Sequence, residues 1–143
     1  MRITSLLAGL AFTGLLAAPA MAGTVNYKAT ILPSSEVPPV TDSHGTGKLA
    51  ATYDTASKKL TYDVTYSGLT GPATAAHLHG PAPAGKNAPV MVPVSAELPS
   101  PVKGTVTLTD QQAKALTDGD MYFNIHTAAN KAGEMRGQVV KAD

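Results

Sequence analysis

The chain of 143 residues has no cysteine. Disulfides, thiolate metal sites and cysteine nucleophiles are therefore excluded, and any transition metal must be held by histidine, methionine, carboxylate or backbone. Charge is scarce and nearly balanced, with 11 Lys+Arg against 10 Asp+Glu. A nucleic-acid partner or an anionic membrane surface calls for a basic patch, and none stands out. Long helical patterns are missing, as are G-x-S-x-G, the P-loop and H-E-x-x-H. Asp63 shares a strand face with Thr61 and Thr65, but no serine sits in an elbow-like turn, so Ser-His-Asp catalysis is not expected. The apolar run Leu6–Leu16 is shorter than the roughly 20 residues that a spanning helix needs.

That run instead fits an export leader. Met1-Arg2 gives a positive start, and Ala20-Met21-Ala22 gives a small-x-small cleavage site, so residues 1–22 read as a signal peptide. The remaining 23–143 suits a single domain, periplasmic or secreted, with no membrane association after cleavage. Loss of Arg2 leaves 10 basic against 10 acidic residues and a formal charge of zero. Without disulfides, packing alone or packing plus a metal must hold this domain together.

Period-two alternation dominates the rest. It predicts strands over 24–31, 48–53, 60–66, 73–79, 90–94, 104–108, 120–126 and 133–140. Pro33, Pro38 and Pro39 keep the segment after the first strand irregular, and Pro93 makes 90–94 an edge. Thr109-Asp110-Gln111-Gln112 has the form of a capping box and starts a helix of about two turns ending near Gly119. The expected fold is all-β: an antiparallel Greek-key sandwich or barrel with one short helix.

Two of the chain's 4 histidines, His77 and His79, flank Leu78. On a strand they share a face, and two imidazoles roughly 6.5–7 Å apart at their Cα atoms can close on one ion. In 120–126, Met121, Phe123 and Ile125 read as core, which puts Tyr122, Asn124 and His126 on the opposite, outward face. If the two strands meet, His77, His79 and His126 converge. Glu134 and Arg136 follow by a hairpin on the same polar face and, with Asn124, are candidate neighbours of the site. Glu134 is expected to orient a ligand histidine through its second ring nitrogen, and Arg136 to balance that carboxylate or draw in an anion. His44 sits in a Gly/Ser/Thr loop, where a fourth ligand can hang and a surface histidine is equally at home. Met91 could approach as a soft ligand, although packing suits it as well. An all-nitrogen site fits copper, Cu(II) or Cu(I), ahead of zinc, because copper heads the affinity order and an oxidising compartment suits it.

The runs Ser35-Glu36-Val37-Pro38-Pro39-Val40, Ala76-His77-Leu78-His79-Gly80-Pro81-Ala82, Asn124-Ile125-His126-Thr127 and Gly133-Glu134-Met135-Arg136-Gly137-Gln138 resemble the CHRD domain. The resemblance implies an immunoglobulin-like or Cu,Zn superoxide dismutase-like β-sandwich, with the His-x-His and Asn-Ile-His-Thr motifs falling on His77, His79 and His126. His44 stands where the resemblance leads one to expect a small or polar residue, which suits a four-histidine copper site confined to a subset of such proteins. Two functions follow. One is a copper-binding protein that stores, buffers or transfers the metal, with superoxide dismutase-like redox chemistry as its only enzymatic form. The other is a structural or protein-interaction module without a metal and with an unidentified protein partner. Monomer and homodimer are both compatible with the sequence.

Overall fold

A computed structural model describes residues 22–94 and 98–143. All but the last residue of the expected leader lies outside these. Eight strands are described: β1 Thr24–Ile31, β2 Thr46–Asp54, β3 Lys59–Ser67, β4 Ala73–His79, β5 Val90–Pro93, β6 Val102–Thr107, β7 Met121–Thr127 and β8 Met135–Lys141. They form one antiparallel sheet in the order β5-β4-β7-β8-β1-β2-β3-β6. The chain crosses from one end of the sheet to the other between β3 and β4, and back between β5 and β6. The antiparallel β architecture is as expected, but the two layers are one continuous sheet rather than two. It curls round a core that takes Tyr27, Leu49, Leu60 and Val64 from one half and Leu78, Phe123, Ile125 and Met135 from the other. No helix among the described residues is long and apolar enough to cross a membrane.

Each half follows the alternation of its sequence. In β3, Leu60, Tyr62 and Val64 point inward, opposite Tyr53, Ala51 and Leu49 of β2. β2 starts at Thr46, ahead of the expected Lys48, because Gly47 lies under the core. A Cβ there would come 3.0 Å from the Thr65 carbonyl oxygen and 3.3 Å from Met135 Cε. Glycine is thus used for close approach and not for a turn.

β8 joins the halves. Its first residues pair with β7, its last pair with β1, and Arg136 exchanges backbone hydrogen bonds with Leu32 at 3.0 and 3.2 Å. Helix α1, Asp110–Asp118, caps one end and buries Ala115 and Leu116. Its start is the expected capping box. Thr109 accepts from the Gln112 backbone N–H at 3.2 Å, and the Gln112 side chain accepts from the Thr109 N–H at 2.9 Å. Thr109→Ala removes one of the two, and urea unfolding should show a loss of about 1 kcal/mol with an unchanged m-value.

Candidate metal centre

The register of β4 on β7 sets His77 opposite Asn124, His79 opposite Tyr122 and Ala75 opposite His126. Leu78 lies opposite Phe123 and Ala76 opposite Ile125, and these four are the core face. The three histidines therefore share the other face, as the alternation requires. One ligand nitrogen from each of His77, His79 and His126 lies within 4.8 Å of the other two. His77 Nδ1 lies 3.0 Å from His126 Nε2. Two nitrogens each about 2.0 Å from one ion stand about 2.8 Å apart at a right angle and about 3.3 Å at the tetrahedral angle, so this separation fits a shared ligand sphere.

The face is only partly outward, contrary to expectation, with His77 and His79 half-buried. His126 is 9% exposed, and every residue of β7 is buried. Two loops close over it. His79 Nδ1 lies 2.9 Å from the Ala88 carbonyl oxygen, and His126 Nδ1 lies 2.9 Å from that of Lys131. A carbonyl only accepts, so both rings carry a proton on Nδ1 and turn Nε2 inward. His79 Nε2 is buried with no hydrogen-bond partner. His126 Nε2 lies 3.0 Å from His77 Nδ1 and 3.0 Å from Asn124 Oδ1. Burial, reinforced by the neighbouring imidazoles, pushes the His77 and His126 pKa values down and favours neutral rings. Main-chain carbonyls thus fix the orientation of the His79 and His126 rings from behind.

Glu134 does not orient a histidine. It is fully buried and turned toward other partners. Its carboxylate accepts from Ser43 Oγ (2.6 Å), Thr70 N (2.8 Å), Thr70 Oγ1 (2.6 Å), Thr127 Oγ1 (2.6 Å) and Asn130 Nδ2 (3.2 Å). These donors outweigh the cost of desolvation and hold its pKa down at about 2. Glu134 thereby anchors the loop whose Lys131 carbonyl holds His126.

Arg136 neither balances Glu134 nor waits in the open for an anion; it is 2% exposed. Its guanidinium donates to Asn87 Oδ1 at 3.0 Å and to the Lys86 carbonyl at 2.8 Å, and lies 3.9 Å from the centre of the Tyr122 ring. Arg136 thus anchors the other loop, the one whose Ala88 carbonyl holds His79. Tyr122 was not singled out in the sequence. It stacks on His79 at 4.9 Å with 4° between the planes, and its hydroxyl donates to Ala88 O at 3.2 Å. Its place in the alternation, two residues before Asn124, already put it on the histidine face.

The structure does not bring His44 into the group. It is exposed, and its carbonyl packs against Gly68. Met91 packs on the core, with its sulfur against Gly80.

A curled antiparallel sheet carrying three convergent imidazoles under two tethered loops defines a small β-domain with a candidate nitrogen-ligand centre. The family model for the CHRD domain matches residues 27–139, and the chain belongs to that family. No curated protein and no solved structure matches it.

Proposed function

We propose that this CHRD domain is a copper-binding module, exported to the periplasm or secreted, that buffers or transfers the metal through His77, His79 and His126. The observation that carries this reading is the buried, unpartnered Nε2 of His79 beside two further imidazole nitrogens. A buried acceptor without a donor is destabilising, and an ion coordinated by all three rings removes that cost. The absence of thiolate and carboxylate from the group suits copper over calcium or magnesium. Export rests on the leader-like residues 1–22.

Untagged protein lacking residues 1–22 should take up one equivalent of copper, giving nitrogen hyperfine coupling in the EPR spectrum when loaded as Cu(II). His77→Ala with His79→Ala should weaken binding at least 100-fold while leaving the β-sheet circular dichroism intact. Stoichiometric copper retained by the double variant would sink the proposal.

A further inference from the structure

The environment of the three rings discriminates between oxidation states. No carboxylate belongs to the group; the buried carboxylate of Glu134 is held behind His126 by Thr127 and four other donors and offsets part of an ion's charge there. Behind His79 stands a stack, His79 on Tyr122 and Tyr122 under the Arg136 guanidinium. The two steps of the stack, 4.9 and 3.9 Å, keep the guanidinium carbon within about 9 Å of the His79 ring centre. This cation is buried, and none of the ion pairs among the described residues involves it. Its hydrogen bonds go to an amide oxygen and a carbonyl, which leave its charge in place. Glu36 is the acid whose titration Arg136 influences. It too is buried, its Oε1 has no hydrogen-bond partner, and desolvation raises its pKa to about 7, so it neutralises Arg136 only in part.

We infer that the three-histidine centre selects Cu(I) over divalent ions, and that Arg136, acting through the Tyr122 stack, is the residue that sets this preference. The inference rests on the copper-binding reading above. Two physical terms support it. An ion on His79 Nε2 would lie about 9–12 Å from this fixed cation, and at an effective dielectric of about 20 each added unit of positive charge is then penalised by about tenfold to twentyfold, disfavouring Cu(II) or Zn(II) relative to Cu(I). A filled d-shell also imposes no geometry, so three nitrogens under closed loops satisfy Cu(I), whereas Cu(II) prefers a tetragonal sphere of four or more ligands. Arg136 is a positioning and charge-setting residue here and not a ligand.

Affinities for the two oxidation states separate the charge effect from a loosened loop. Cu(I) is measured under ascorbate against a chromophoric bidentate chelator, and Cu(II) against glycine. Wild-type protein should hold Cu(I) more tightly than Cu(II). Arg136→Gln should lower the Cu(I)-to-Cu(II) affinity ratio about tenfold, mainly by strengthening Cu(II) binding, and Arg136→Lys should stay within about twofold of wild type. A merely structural role would weaken both ions together and leave the ratio unmoved, which overturns the inference. Equal or tighter Cu(II) binding by wild type overturns it too, and decides the matter even if Arg136→Gln does not fold. Failure to bind either ion would instead remove the copper-binding reading itself, and this inference with it.

Discussion

Glu134→Gln should cost about 3 kcal/mol of stability at pH 7, and it should abolish the acid-side loss of stability seen in the wild type. In the folded chain the Glu134 pKa is about 2, well below the ordinary 4.5. A depressed carboxylate contributes its full stability above pH 4.5 and loses it as pH falls from 4.5 to 2, because the unfolded chain takes up the proton first. Glutamine keeps the shape but has only one acceptor oxygen, so its NH2 group meets hydroxyl or amide donors that the carboxylate had satisfied. Glu36 works in the opposite sense. Its pKa is raised to about 7, so ionising it destabilises the fold as pH rises from 4.5 to 7. Urea titrations should therefore show wild-type stability rising between pH 2.5 and 4.5 and the variant without most of that limb; from pH 4.5 to 7 the Glu36 loss runs against the gain from the depressed His77 and His126 in both proteins. A variant that keeps the rising limb would show that other acids supply it.

Gly137→Ala should destabilise the domain by at least about 3 kcal/mol, or prevent folding. A Cβ at this position overlaps the Thr30 carbonyl oxygen, and it lies 2.8 Å from that carbonyl's carbon and 3.2 Å from Ile31 Cα. All three are backbone, so no rotamer change relieves the contact. The strands have to part, and the hydrogen bonds between Arg136 and Leu32 go with them. A melting temperature within about 2 °C of wild type would show that β1 and β8 separate at little cost.

Much of this was legible in the sequence. Strand β4 has the expected bounds, since Leu78 between two histidines leaves one choice of core face. The helix start follows from Thr109 and Gln112, whose reciprocal bonds are local. What failed was the second face of β7. Alternation says which residues share a side but not what covers it, and the cover comes from loops at 86–88 and 130–131 that contribute main-chain carbonyls, a group every residue has. Glu134 and Arg136 looked like partners because opposite charges two residues apart in a strand share a face. The structure separates them because each meets a richer set of groups elsewhere: hydroxyls and amides from three loops for the carboxylate, an aromatic ring and carbonyls for the guanidinium. Those partners are distant in sequence, so no local pattern announces them.

On the proposed copper-binding function, the two loop carbonyls behind His79 and His126 would also govern how fast the site fills and empties. The orientation of these rings is set when the chain folds, so an arriving ion finds the donors already aimed and no side-chain search follows the encounter. Uptake from a small chelator should then be a single exponential limited by ligand exchange on the donor complex, with no slow second phase. By reversibility the release step is equally direct, which suits a carrier that passes its load to the next acceptor through a shared intermediate rather than by opening the fold.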